Sequence, residues 1–138
     1  MLVQDIMTSK PIVVQHDTPI IEALALLQES NIRHLPVLED SKLIGMISDR
    51  DLRTVFASGT IDANTAQTLN NQYRAPVSQL MSADVINIHP EDDVGEAIDL
   101  MLQQGVGAIP VTDSFSGDLI GILSYVDVLK AARDYVSE

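Results

Sequence analysis

Cysteine is absent from the chain, and with it go disulfides, zinc thiolate sites and thiol nucleophiles. That absence is compatible with a reducing cytosol without singling it out, and the location expected is the cytoplasm. Tryptophan is missing too, and three tyrosines and two phenylalanines offer little for stacking on bases. Basic residues are scarce: eight stand against twenty acidic ones, a net charge of −12 that repels the phosphate array of DNA or RNA. Nucleic acid is therefore not an expected partner. No apolar run reaches the length of a membrane span, and Met1 to Ile6 lacks a basic segment. That opening reads as neither a secretory signal nor an anchor.

What is present is one pattern written twice. Val3/Val77, Met7/Met81, Ile12/Ile86, Glu22/Glu96, Ala23/Ala97, Leu26/Leu100, Pro36/Pro110 and Val37/Val111 share one offset. Beyond them the register slips by two, with the extra length in Ser114 to Gly117, as a surface hairpin loop tolerates. The 138 residues fit one compact domain. A single copy of roughly 55 residues would bury only about 60% of its unfolded surface, so the two are expected to share one core. The division is residues 1–58, a linker 59–76, and residues 77–138.

In the first copy, Pro11 to Val14 reads as a short strand and Asp17-Thr18-Pro19 as a helix start. Ile20, Ala23, Leu24 and Leu27 follow at helical spacing to about Ser30. Leu35 to Leu38 and Leu43 to Ile47 form a hairpin, and Ser48 opens a helix reaching about Phe56. The second copy repeats this with a strand at Ile86-Asn87-Ile88, a helical stripe from Val94 to Met101, a hairpin of Ala108 to Thr112 and Leu119 to Leu123, and a last helix from Tyr125. The fold class is mixed α/β, each copy running β-α-β-β-α. Leu43 to Ile47 and Leu119 to Leu123 are nearly all apolar and are expected to be covered on both faces. The polar linker is expected to hold a short helix around Ala66 to Asn71.

Gly-x-x-Ser-x-x-Asp at the end of an apolar strand is the sharpest constellation, and it occurs in both copies. Gly45 and Gly121 offer no side chain where backbone meets something closely. Ser48 and Asp51, like Ser124 and Asp127, have capping-box spacing, and that alone would account for them. The alternative uses the same helix start as an anion site, with the carboxylate turned outward to accept both hydroxyls of a ribose. No nucleophile, base and orienter fall together, so catalysis is not expected.

These residues resemble a known family. Asp5-Ile6-Met7-Thr8 and Gln79-Leu80-Met81-Ser82, Glu22-Ala23 and Glu96-Ala97, Leu35-Pro36-Val37 and Ile109-Pro110-Val111, with the two Gly-x-x-Ser-x-x-Asp ends, are similar to two cystathionine-beta-synthase (CBS) domains forming one Bateman module. The resemblance implies a regulatory sensor of adenine nucleotides, with the copies packed through their sheets about a pseudo-two-fold axis and modules associating as a homodimer. It implies that Ser48 and Ser124 touch phosphate, that Asp51 and Asp127 hold ribose, and that Ile12, Val13 and Val14, or Ile86, Asn87 and Ile88, flank adenine. Arg33 and His34, just before Pro36, would reach phosphates. Ala108, before Pro110, stands where His34 does.

The basic residues are unevenly placed, with Lys10, Arg33, Lys42, Arg50 and Arg53 in the first copy against Lys130 and Arg133 in the second. Arg33, His34, Arg50 and Arg53 belong to the first, while Gly107, Ala108, Tyr125 and Val126 occupy corresponding places in the second. A phosphate-bearing ligand should prefer the first copy, leaving the second for adenosine, a monophosphate or nothing. His34, with an ordinary pKa near 6.5, would make such binding tighten in acid. His16 and His89 are expected at the surface, and no metal site is expected. The regulatory ligand is AMP, ADP or ATP, alone or with Mg, and the output passes to a partner protein or the chain's own dimer. The alternatives are a ligand-free association scaffold, binding of S-adenosylmethionine or another adenosyl compound, and a small nucleotide-processing enzyme.

Overall fold

A computed structural model describes residues 1–56 and 71–137. In chain order its elements are α1 (Val3–Ile6), β1 (Thr8–Ser9), β2 (Val14–Gln15), α2 (Ile20–Ser30), β3 (His34–Glu39), β4 (Lys42–Ser48), α3 (Asp49–Phe56), a 3-10 turn (Val77–Gln79), α4 (Val94–Gln104), β5 (Ala108–Thr112), β6 (Leu119–Ser124) and α5 (Tyr125–Val136). Residues 71–74 are also helical; the rest of the helix expected near 66–71 lies outside the described residues. Two compact units cut across the sequence repeat. One spans Ile12–Asp84, and the other joins Met1–Pro11 to Val85–Glu138.

In the unit Ile12–Asp84, β2 lies parallel to β3 and β3 antiparallel to β4. The β3–β4 turn is two residues, Asp40 and Ser41, at φ 50 and 68, the positive values a tight type I′ hairpin demands. Helix α2 buries Ile20, Ala23 and Leu27 along one stripe and stops at Asn31 in the left-handed region. Those side chains pack with Val14, Leu35, Val37, Ile47, Leu52 and Val77. The unit containing both termini has the sheet order β1-β6-β5 and its own cluster of Val3, Ile88, Ala97, Met101, Ile109, Val111 and Leu123. Helix α4 stops at Gly105, φ 65, where α2 used Asn31.

Each repeat's opening residues complete the other repeat. Val77 donates its amide to the Thr18 carbonyl at 2.8 Å, Ser78 to His16 at 3.1 Å, and Ile20 donates to Ala75 at 2.9 Å. The matching set is Val3 to Asp92 at 2.8 Å, Gln4 to Pro90 at 3.0 Å and Val94 to Met1 at 3.0 Å. Met46 and Ser82 exchange both backbone hydrogen bonds, just as Thr8 pairs with Ile122 in the other sheet. Val77 and Val3, both fully buried, thus serve clusters made chiefly by the opposite copy.

Three expectations are corrected. The buried side chains form two clusters rather than one shared core, because each copy gains its missing apolar surface from an exchanged segment. The strands covered on both faces are Leu35-Pro36-Val37 and the whole of β5; Ile44, Met46, Ile120 and Ile122 are only half-buried. The strand expected at Pro11 to Val14 shrinks to Val14–Gln15, and Ile86 to Ile88 keeps a single bridge, Ile88 to Val111. Proline explains the difference between the copies. His16 donates its amide to Leu38 at 2.9 Å and extends the ladder, whereas Pro90 at the equivalent place has no amide to give. The His89 ring Nδ1 instead lies 3.0 Å from the Thr112 carbonyl.

Candidate functional site

The first copy's turn is assembled by the hairpin. Ser48 at the end of β4 is paired with His34 at the start of β3, and the Asp49 amide donates to the Arg33 carbonyl at 3.0 Å. Arg33, His34, Ser48, Asp49, Arg50 and Asp51 therefore meet at one end of the sheet, at the N-terminus of α3. The second copy builds the same frame: Ala108 pairs with Ser124, and the Tyr125 amide donates to Gly107 at 2.9 Å.

Capping is the geometry seen at both aspartates. The Ser48 amide donates to Asp51 Oδ2 at 2.9 Å, and the Asp51 amide donates to Ser48 Oγ at 3.1 Å. In the second copy these bonds measure 2.9 and 3.2 Å, and Ser124 Oγ also donates to Asp127 Oδ2 at 3.1 Å. The carboxylates thus face their own helix starts instead of turning wholly outward, since orphan amides of a first helical turn are strong donors. An ionised carboxylate has about four acceptor positions, and at Asp127 capping uses only part of them. Asp127 has a further partner, the Thr8 hydroxyl, 3.0 Å from Oδ1. Sequence reasoning missed Thr8. Its signal was the repeated Met-Thr and Met-Ser of the two opening motifs, which had no local role in the copy that carries them.

The glycines answer to that same exchange. A Cβ on Gly45 would stand 2.5 Å from Met81 Sδ and 2.9 Å from the Ser82 carbonyl oxygen. One on Gly121 would stand 2.8 Å from Met7 Sδ and 2.9 Å from the Thr8 carbonyl oxygen. The close approach expected at both positions is real, and the approaching group is protein backbone. Several other expected site residues also have interior places. Val14, Ile88 and Ala108 are buried, and Pro36 and Pro110 are fully buried, because β3 and β5 are the covered strands. Ile12 and Asn87 are exposed, while Val13 and Ile86 are half-buried.

Electrostatics divide the two turns. Burial lowers the His34 pKa below its ordinary value; Asp49 and Asp51 oppose that effect, and Arg33 reinforces it. The ring is therefore neutral near neutral pH, poised beside two carboxylates and a guanidinium. Arg53 is 3.7 Å from Asp49, so one of the two helix-start arginines is already compensated. Arg33 and Arg50 are exposed. Asp127 lines a groove of about 520 Å³ together with Met1, Asp5, Lys130, Arg133, Asp134 and Tyr135. Tyr125 and Val126, where the first copy has Asp49 and Arg50, are exposed.

The remaining candidates have modest roles. His16 lies 4.0 Å from Glu39 at the surface, Asp93 caps α4 through the Gly95 amide at 2.6 Å, and Asp92 accepts from the His89 amide at 2.9 Å. Among the described residues no group of three or more His, Asp or Glu is arranged to hold a metal ion. Among them, too, no helix is long and apolar enough to cross a membrane.

Comparison with known proteins places these features in one group. The family model described as CBS domain matches residues 3–58 and 77–134. A CBS domain-containing protein of Bacillus subtilis, YhcV, is 33% identical over 91% of this chain and 81% of its own. The CBS-pair protein CBSX2 of Arabidopsis thaliana is 33% identical, with a TM-score of 0.79 over 97% of this chain and 95% of that one. A structure of CBSX2 in complex with AMP aligns with a TM-score of 0.80 at 30% identity, covering 99% and 98%. The CBS domain pair of protein MJ0100, in complex with 5′-methylthioadenosine and S-adenosyl-L-methionine, aligns at 0.79 with 26% identity over 98% of each chain.

Proposed function

This chain belongs to the CBS domain family, and on that premise we propose that it is a regulatory module that binds an adenosine-type ligand and does no chemistry on it. The observation that carries this reading is the convergence of Arg33, His34, Ser48, Arg50 and Asp51 at the start of α3. A helix start offers amides to an anion, and two cationic side chains with an imidazole add charge-assisted donors. In this reading Ser48 and Ser124 turn their hydroxyls to phosphate, and Asp51 and Asp127 accept ribose hydroxyls while still capping. Ile12, Val13 and Ile86 flank the adenine. Arg33, His34 and Arg50 favour AMP, ADP or ATP over an uncharged adenosyl group, with Mg accompanying only a polyphosphate.

The AMP bound by CBSX2 and the methylthioadenosine and S-adenosylmethionine bound by the MJ0100 pair support an adenosine-type ligand. The output, in this proposal, is a ligand-dependent shift between two arrangements of the module, passed to a partner protein or through a homodimer in the cytoplasm. Thermal melting with AMP, ADP, ATP and S-adenosylmethionine tests it. A ligand at a hundred times its dissociation constant adds about 2.7 kcal/mol of stability.

The capping of both helices favours a second reading, a ligand-free scaffold. No melting shift with any of the four compounds would select that reading. Product formed from ATP, and lost in Asp51→Ala, would overturn both in favour of an enzyme.

A further inference from the structure

The second turn has an acceptor count that sets what it can recognise. Asp127 Oδ2 already accepts two donors, the Ser124 amide at 2.9 Å and the Ser124 hydroxyl at 3.1 Å. Oδ1 accepts the Thr8 hydroxyl at 3.0 Å. A carboxylate offers about four acceptor positions, so three are in use and one remains. A ribose presents two neighbouring hydroxyls as donors. From this juxtaposition we infer that Thr8 is a specificity-determining residue of the second copy's site: its hydroxyl leaves Asp127 able to hold one ribose hydroxyl, so that site does not distinguish ribose from deoxyribose.

This inference rests on the adenosine-binding reading of Asp127. Thr8 is not held there by chance orientation of a loop. It pairs with Ile122 as the first residue of β1, and Met7 beside it packs against the same cluster as Val3. The backbone that carries the hydroxyl is therefore fixed, and Asp127 is oriented by its two bonds to Ser124 whether or not Thr8 takes part. Removing the hydroxyl changes the number of free acceptor positions and leaves the carboxylate in place. A ligand without phosphate is the right probe, because a phosphate would draw the Ser124 proton away and release a position on Oδ2.

The test is calorimetry on the full chain carrying Asp51→Ala, which weakens the first site, with adenosine, 2′-deoxyadenosine and 3′-deoxyadenosine. With Thr8 present, at least one deoxynucleoside should bind within about twofold of adenosine, and Thr8→Val should tighten adenosine roughly tenfold relative to both, the scale of one hydrogen bond to a charged group. Thr8→Ser, which keeps the hydroxyl, should behave as the parent. Adenosine already preferred tenfold over both analogues with Thr8 in place would overturn the inference. So would a Thr8→Val chain in which the ratios do not move, or in which all three ligands weaken together, and so would a Thr8→Ser chain that behaves like Thr8→Val. If adenosine and the adenine nucleotides all fail to bind the unaltered chain, the adenosine-binding reading itself falls, and this inference with it.

Discussion

The turn at Ser48 and the turn at Ser124 have nearly the same backbone and very different surroundings. Their reciprocal capping bonds agree to within 0.1 Å, at 2.9 and 3.1 Å against 2.9 and 3.2 Å. Each is tied to the residue before its hairpin by one more amide, at 3.0 and 2.9 Å. Around the first stand Arg33, His34, Asp49 and Arg50; around the second, Gly107, Ala108, Tyr125 and Val126. Duplication has kept the hydrogen-bonded frame, which the helix ends need in any case, and the side chains that would read a ligand's charge differ. The hydrogen-bonded frame is repeated and the side chains around it are not.

The sharpest way to break that comparison is to remove each carboxylate. Asp51→Ala should weaken binding of AMP by roughly 10- to 100-fold, the worth of one or two bonds to a charged acceptor. Asp127→Ala should weaken it less, because Arg33, His34 and Arg50 lie at the other turn. Both substitutions also remove a helix cap, at about 1 kcal/mol of stability each, so melting curves should shift alike while calorimetric affinities do not. A larger loss of affinity in Asp127→Ala would mean the two turns have been ranked the wrong way round.

Stability should show the symmetry that the surroundings of the two turns lack. Gly45→Ala and Gly121→Ala each bring a Cβ against a carbonyl oxygen at 2.9 Å and a methionine sulfur. The sulfur sits on a flexible side chain and can move; the carbonyl belongs to a paired backbone and cannot. Each substitution is expected to cost about 1–3 kcal/mol in denaturant unfolding, with the two values alike. A cost at only one glycine would show that the exchanged segments are not docked equivalently.

These glycines mark the boundary of what could be read from the chain. The repeat, the two hairpins and the helices beginning near Ile20, Ser48, Val94 and Tyr125 were legible because hydrophobic period and turn residues are local signals. So was the two-residue length difference in the second hairpin loop; Asp113 to Asp118 connect the strands there, against Asp40 and Ser41 in the first, whose ladder reaches one pair further, to Glu39 and Lys42. Segment exchange was not legible. Val3 and Val77 look alike in sequence, and nothing within a few residues of either says that it packs against a helix of the opposite copy. Gly45 and Gly121 did announce a close approach, but a glycine cannot name what approaches it. The site was legible to the same depth: the spacing of Ser48 and Asp51 foretold their mutual hydrogen bonds, and the reach of Thr8 to Asp127 across 119 residues of sequence left no local trace.

A pH titration sharpens the contrast at the two turns. Burial lowers the His34 pKa, so in the free protein the ring is neutral above its ordinary value near 6.5. A phosphate bound against it would favour the protonated form. Affinity for AMP should therefore rise as pH falls from 8 through 6, by at most about tenfold per pH unit, with proton uptake visible as a buffer-dependent heat. His34→Ala should flatten that dependence, making the first turn behave like the second, where Ala108 stands. Stability of the free protein should move the other way. A depressed histidine contributes fully above the unfolded value and loses that contribution as pH falls through the folded one. If affinity is flat between pH 8 and 6 in the unaltered chain, His34 does not touch the phosphate.

The smallest effect concerns the hairpin loops. Ser41 holds φ 68 in a two-residue turn, a conformation that costs an L-residue roughly 1 kcal/mol, while the second loop places Gly117 at φ 75. Among the described residues no heavy atom beyond its chain neighbours lies within 4 Å of where a Gly117 Cβ would be, so conformation decides the effect of adding one. Ser41→Gly should accordingly stabilise the chain by about 0.5–1 kcal/mol, and Gly117→Ala should destabilise it by a similar amount. Neither residue adjoins a capped turn, so AMP affinity should stay unchanged in both. A change in affinity with either variant would mean that the loops report to the binding turns, and that the frame and the site are less separable than the paired hydrogen bonds imply.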